Sequence, residues 1–545
     1  MLSDMKNRSV ILLVLTLAFT LLMSLPWLVP HMGWTALAGF VPLFIMERLA
    51  GEWKTRRFFW WHYLAFVLWN AVTTWWIGEA TVGGGIFAVL ANAIQMSLVF
   101  ESFRWVKKRT SGTLPYIYFA AAWLAWERYY LTIAQISNPW LILGNAFADT
   151  VGLVQWYSVL GHLGGSLWVL AANLAVFGIM VALSDGRMAG WNVKARTAAF
   201  SGLVLVIFGP MIWSACIRFE VPADSPSLQV VAGQPNYDPY EKFGSLTQEQ
   251  QDNRFLDLLD SAGIPDGPCL VLAPETFTGG FMLDNVPGQA TFVRFQKWLR
   301  ESHPDATLLF GASAYNVDVA YSAPSLLAYD RGKYDAEGRH VWLTSRNSSI
   351  ITDTTGRYEI FHKSKLVLGT ELTPYPKVFV PLENLLGGNL MGKCVGQKEI
   401  SCLNMKAGDE KVPIGTAICY ESIYGEYCTG YVRKGARLLA VITNDAWWGN
   451  SPGYRQHFSY SRLRAIETRR YVARCGNTGI SAIIDPCGRV LDRTPWWQQA
   501  VLSGSVKLLD GQTFFVRYGD IVGRVSVFLF LLLALAAIFR PRKHS

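Results

Sequence analysis

Apolar residues fall in two rhythms along this chain. Before Arg218 they come in long unbroken runs, roughly 9–29, 33–50, 59–78, 82–103, 115–134, 155–183 and 197–217, and one more closes the chain near 524–540. Crossing a bilayer takes about 20 mostly apolar residues. The pattern therefore predicts seven transmembrane helices, a long intervening region and an eighth helix. The first run exceeds the roughly 7–15 apolar residues of a signal-peptide core, and no small-x-small site follows it, so it reads as a retained helix. Between 218 and 521 the runs shorten. β-rich stretches at 228–232, 269–273, 307–312, 325–329, 414–419, 438–443 and 479–484 alternate with helix-like stretches near 246–262, 290–302, 421–434 and 456–473. Gly, Pro or Asn tends to follow each strand. Buried strands alternating with helices predict a layered α/β domain.

Composition supports this division. Of 545 residues 51% are hydrophobic and 16% charged, against about 25% charged in an ordinary soluble chain. That excludes a disordered, collagen-like or wholly soluble charged protein. Residues 1–217 hold 14 Lys/Arg and 8 Asp/Glu, and the other 328 hold 35 and 32. The expected domains are 1–217, 218–521 and 522–545.

Charge also orients the helices. Lys6 and Arg8, then Lys54, Arg56 and Arg57, then Lys107, Lys108 and Arg109, then Arg187, Lys194 and Arg196, and finally Arg540, Arg542 and Lys543 fall on one side of the membrane if there are seven helices, a domain and one helix. The domain then lies on the extracytoplasmic side, and both termini are cytoplasmic. Glu79, Glu101, Glu127 and Asp149 stand near estimated helix ends, where interfacial placement is expected. Trp60, Trp61, Trp75 and Trp76 suit an aromatic belt; Trp496 and Trp497 suit a domain surface that touches lipid. Gly83-Gly84-Gly85 suits close helix packing. No nucleic-acid-binding signature occurs, so no nucleic-acid partner is expected.

Three positions in the domain carry chemistry. Glu275, in Leu-Ala-Pro-Glu-Thr, follows an apolar strand, where sites of α/β folds lie. Lys363 and Lys365 share a strand face, which equally suits a solvated basic edge. Cys419 ends an apolar strand and precedes a helix-like segment whose N–H groups could hold an oxyanion; a buried structural cysteine or half of a disulfide is the alternative. Together they supply a thiol nucleophile, a carboxylate base and a cation for a tetrahedral intermediate. Of the eight cysteines, Cys394 and Cys402 form the first pair to expect as a disulfide. His457 reads as structural. No Cys-x-x-Cys, His-Glu-x-x-His or Gly-x-Ser-x-Gly occurs, so no metal, no cofactor and no serine hydrolase are expected.

Glu, Lys and Cys in this order resemble the nitrilase superfamily. Thr-Asn-Asp-Ala-Trp-Trp-Gly-Asn-Ser, then Arg-Leu-Arg-Ala-Ile-Glu-Thr-Arg-Arg, then Asn-Thr-Gly-Ile-Ser-Ala-Ile-Ile-Asp-Pro-Cys-Gly sharpen the match. With the helices they resemble the apolipoprotein N-acyltransferase family over nearly the whole chain. The resemblance implies a nitrilase-like αββα sandwich on an eight-helix membrane bundle. It places the catalytic residues at Glu275, Lys363 (not Lys365) and Cys419. Tyr420, Glu371 and Glu421 fall on oxyanion and supporting positions. Phe243 falls on a pocket tryptophan, and Trp447 and Trp448 on a lipid-gating loop. Gln234-Pro235-Asn236 resembles the family's Gln-x-Asn. The sequence around Glu371 is Gly-Thr-Glu-Leu-Thr-Pro where the family has Phe-Gly-Glu-x-x-Pro. The implied reaction is ping-pong acyl transfer from a phospholipid to a diacylated lipoprotein, by a monomer in a bacterial inner membrane with its catalytic domain periplasmic. A membrane-tethered amidase, and a lipid-binding or transport protein with an inert nitrilase-like domain, are the alternatives.

Overall fold

A computed structural model describes residues 2–388, 390–408 and 410–540. Arg542 and Lys543 lie outside the described residues. The chain divides into two compact units, Met1–Arg218 with Asn450–Ser459 and Tyr518–Ser545, and Phe219–Gly449 with Tyr460–Arg517.

The first unit is helical. Five helices are long and apolar enough to cross a membrane: Asn7–Leu28, Val82–Lys107, Tyr157–Ser184, Val193–Cys216 and Ile521–Ile538. Three expected spans fall short of that. Phe58–Thr74 has 17 residues, and Leu114–Thr132 carries Glu127 and Arg128. The stretch 33–50 is broken at Phe40, between Ala36–Gly39 and Val41–Glu52. Pro42 explains the break, since its ring opposes a continuous helix. Asn173 replaces the lost helical partners, accepting from Phe40 N (2.7 Å) and donating to Ala36 O (2.7 Å).

Aromatic rings pack the core of this unit, with Phe40 edge-on to both Phe19 and Trp123. Two placements differ from expectation. Glu127 is fully buried and accepts from Leu143 N (2.9 Å) and Trp123 Nε1 (3.2 Å). Trp76 is no belt residue: it is buried, edge-on to Trp140 at 4.7 Å. His457 is also buried against Trp140, and a Cβ on Gly85 would lie 2.7 Å from Gly78 Cα, so Gly85 serves close packing, whereas a Cβ on Gly83 would meet nothing within 4 Å.

The second unit holds fourteen strands among the described residues. They are β1 (Ser227–Gln234), β2 (Cys269–Leu272), β3 (Thr278–Met282), β4 (Ala306–Ala320), β5 (Tyr329–Lys333), β6 (His340–Thr352), β7 (Tyr358–His362), β8 (Leu403–Ala407), β9 (Glu410–Ile418), β10 (Leu438–Thr443), β11 (Val472–Gly476), β12 (Ala482–Ile484), β13 (Val490–Arg493) and β14 (Ala500–Lys507). One sheet runs β14-β1-β2-β4-β6-β5, with β3 on β4 and β7 on β6; the other runs β13-β12-β11-β10-β9-β8. The middle strands β1, β2 and β4 are parallel, as are β9, β10 and β11. Parallel strands buried on both faces read as the continuous apolar runs seen in the sequence.

The sheets stack face to face. The Cys475 thiol on β11 donates to Gly233 O on β1 (3.2 Å) and Leu272 O on β2 (3.3 Å). Helices Gln248–Ala262 and Ala290–Ser302 cover the outer face of the first sheet. Their Phe255, Leu259, Phe295 and Leu299 share a buried cluster with Val231, Val271, Leu308 and Phe310. Helix Gly425–Arg433 covers the second sheet so closely that a Cβ on Gly415 of β9 would lie 2.6 Å from Tyr431 Cβ. The layers are thus helix, sheet, sheet, helix. The pattern missed β6, whose run of polar residues hides a strand paired with β4 from Leu308↔Thr352 to Ala320↔His340. It also carried a helix to residue 473, whereas the helix is Pro452–Thr468 and Val472 opens β11.

Candidate active site

Three strand ends supply the site. After β2, Pro274 turns the chain and Glu275 follows. Gly311 on β4 makes that turn possible: its N–H donates to Pro274 O (3.1 Å), and a Cβ there would come within 2.6 Å of Glu275 Cα. After β7, Lys363 N donates to Asn347 O (2.8 Å), extending the pairing with β6. After β9, Cys419 adopts φ 51°. That left-handed conformation is uncommon for a residue with a side chain and is characteristic of functional sites.

Glu275 and Lys363, 88 positions apart in the chain, meet in the interior. Lys363 Nζ lies 2.9 Å from Glu275 Oε1 and 3.0 Å from Glu371, and the lysine is 1% exposed. Asn347 Nδ2 donates to both carboxylates at 2.7 Å. Asn444 N donates to Glu275 Oε2 at 3.1 Å. Burial opposes the charge on Lys363, but the Glu275 and Glu371 carboxylates outweigh it and hold its pKa well above that of an ordinary lysine. The lysine is a fixed cation.

The Cys419 thiol lies in the same field. Burial and the Glu275 charge push its pKa well up, while Lys363 and a hydrogen bond with Thr443 pull the other way. A thiol of this kind stays protonated until a base takes its proton. Tyr420 is buried beside it.

Glu421 joins two of the strand ends. Its carboxylate accepts from Ser364 N (2.6 Å) and Lys365 N (3.2 Å) beyond β7, and from Ile418 N (2.8 Å) at the end of β9. Tyr427 Oη adds a bond at 2.8 Å. Burial pushes this carboxyl up to about 7. Lys365 stands apart, over the rings of Tyr424 and Tyr427.

At the rim, Phe243 stacks on Trp447 (centroids 5.8 Å, planes 18° apart). Both rings are partly exposed, and Trp448 is half-buried. Beneath them Lys242 is 6% exposed.

Sequence reasoning missed Asn347, Asn444 and Lys242. Asn444 lies within the quoted Thr-Asn-Asp-Ala-Trp motif and Lys242 adjoins Phe243, so both were within reach. Nothing local marks Asn347. The expected Cys394–Cys402 disulfide is absent. Cys394 Sγ lies 3.4 Å from Ser345 Oγ, and the Cys402 thiol donates to Tyr431 O at 3.4 Å. Both cysteines are free: Cys394 bridges to Ser345 of β6, while Cys402 is held at Tyr431 of helix Gly425–Arg433.

Residues 236–514 match the family described as Carbon-nitrogen hydrolase, which with the two stacked sheets defines the class of this unit. Residues 19–175 match the Apolipoprotein N-acyltransferase N-terminal domain. The chain is 30% identical to the apolipoprotein N-acyltransferase of Chlorobaculum tepidum, over 95% of this chain and 94% of the relative. It is 28% identical to that of Geobacter metallireducens, over 88% and 86%, and 25% identical to that of Thermotoga maritima, over 80% and 73%. The chain belongs to the apolipoprotein N-acyltransferase family.

Proposed function

We propose that this membrane enzyme moves an acyl chain from a phospholipid to the α-amine of a lipoprotein's diacylglyceryl-cysteine, in two half-reactions through a thioester on Cys419. In the first, Glu275 takes the thiol proton and sulfur attacks the ester carbonyl. Lys363 and the Tyr420 N–H hold the oxyanion. The C–O bond breaks, Glu275 returns the proton to the departing alkoxide, and a lysophospholipid leaves. In the second, the amine attacks the thioester and Glu275 takes the amine proton. The C–S bond breaks, the amide forms and the thiol is restored. Splitting the transfer lowers each barrier. Both substrates are lipid-anchored, so a membrane-tied catalyst meets them at raised effective concentration.

The observation that carries this reading is the Lys363 ammonium held between two carboxylates in the field of the Cys419 thiol. Glu371 and Glu421 are supporting residues that fix Lys363 and the turn at Cys419. Phe243, Trp447 and Trp448 line the way in for the acyl chain. The enzyme works as a monomer without a cofactor. Eight crossings, those of the five long helices and of the segments near 33–52, 58–74 and 114–132, put residues 218–521 on the periplasmic side and both termini in the cytoplasm, as the loop charges require.

The test supplies wild type and Cys419→Ala in membranes with a labelled phospholipid and a diacylated lipoprotein. Acylated lipoprotein and lysophospholipid from the wild type alone support the proposal. Release of fatty acid to water without lipoprotein acylation would make the protein a hydrolase. Equal activity of the two proteins would remove Cys419 from the chemistry.

A further inference from the structure

Among the buried cations that the acyl-transfer chemistry leaves unused, Lys242 stands next to the site. It lies in the last turn of the short helix Pro239–Phe243. An ammonium has three N–H donors. Here Nζ has the Thr276 hydroxyl at 3.4 Å and the face of Phe243 at 5.1 Å, with no other side-chain hydrogen bond or ion pair among the described residues. A buried cation so poorly matched is costly unless a ligand completes it.

Its position says what that ligand must be. Thr276 follows Glu275 in the chain, and the Glu275 charge reaches Lys242. Phe243, whose ring Nζ faces, stacks on Trp447 to form an apolar wall. The missing group is therefore an anion attached to apolar chains, close to the reacting ester. Of the two proposed substrates only the acyl donor has one, the phosphodiester that shares a glycerol with the ester under attack. We propose that Lys242 binds the phosphodiester of the donor phospholipid and makes the first half-reaction selective for phospholipids. This inference rests on the acyl-transfer reading above. When the lysophospholipid leaves it takes the phosphate with it, and Lys242 has no anion to hold in the second half-reaction. Burial pushes the Lys242 pKa down to about 7, with Glu275 pulling it up; a bound phosphodiester would restore the charge.

The test measures thioester formation on Cys419 by intact mass, with full-length protein and either phosphatidylglycerol or diacylglycerol as donor. The wild type should favour the phospholipid by ten-fold or more. In Lys242→Met that ratio should fall towards one, and Lys242→Arg should keep most of it. An unchanged ratio in Lys242→Met, whether both rates persist or both fall, would overturn the proposal. So would a wild type without preference. Inorganic phosphate should leave the diacylglycerol rate alone; stimulation would mean that Lys242 takes a free anion instead. No thioester from either donor in the wild type would instead bring down the acyl-transfer reading.

Discussion

Two buried lysines feel the same glutamate and are held in opposite ways. Around Lys363 the counter-charges are close: two carboxylates face the ammonium, Asn347 bridges them, and the charge is locked in. Around Lys242 there is one distant hydroxyl and an aromatic face, and the charge is on the edge of being lost. Burial alone therefore does not define a lysine's role. A buried cation with its counter-ions supplied by the fold is ready for charge that develops during reaction. One without them waits for charge that arrives with a ligand.

The largest test of this contrast asks whether both corners serve one nucleophile. Cys419→Ala should abolish acyl transfer, a loss on the order of 10⁴-fold or more, with residual activity read from lipoprotein mass. Survival of activity would leave the two lysines without a shared reaction. Next, Lys363→Met should lower kcat about 10²–10³-fold and destabilise the protein by about 3–5 kcal/mol, because it strands the buried Glu275 carboxylate beside that of half-buried Glu371. Denaturant unfolding alongside rates would show both; an intact, active variant would mean that Lys363 is no fixed cation.

Gly311→Ala reaches the same corner through the backbone. The added Cβ would push Glu275 away from Lys363, and a displacement of roughly 1 Å costs about 10²-fold in rate. Full activity in that variant would show that the turn yields without moving the carboxylate.

Glu421 offers a test of stability. Its carboxyl titrates at about 7 in the folded protein and near 4.3 unfolded. Between those values the folded state keeps a proton that the unfolded state has lost, so stability should fall as pH rises, by about 3–4 kcal/mol in all. Glu421→Gln should flatten that slope; an unchanged slope would assign it to another group. The smallest effect belongs to the Lys242 corner. Its cation is present below about 7 and lost above, so the KM for phospholipid should rise several-fold from pH 6 to 8. Lys242→Met should show a flat profile, and the same rise in the variant would clear Lys242 of it. The charged group facing Lys242 is Glu275, which the variant retains.

Much of the candidate site was legible because its chemistry-bearing residues sit at strand ends. Glu275 and Cys419 are polar residues that interrupt apolar runs, and the Phe-His-Lys step marks Lys363. Their supports were hidden for different reasons. Asn347 lies among other polar residues of β6, so no local contrast marks it. The break at Phe40 could have been read from Pro42, but its repair by Asn173, 133 positions away, could not. Cys394 and Cys402 are close in sequence, yet one faces Ser345 and the other Tyr431.

Taken alone, the sequence determined the two rhythms of apolar residues, the charge bias of the loops, and the identity of the groups able to act as base, cation and nucleophile. Those properties are local, carried by single residues and by periods of two or 3.6. The tertiary structure decided which carboxylates surround Lys363, which lysine is left short of partners, and which cysteines stay apart. Such choices depend on how strands far apart in sequence pair and how two sheets stack. Partnership between buried charges is set by that packing, and no short stretch of chain contains it.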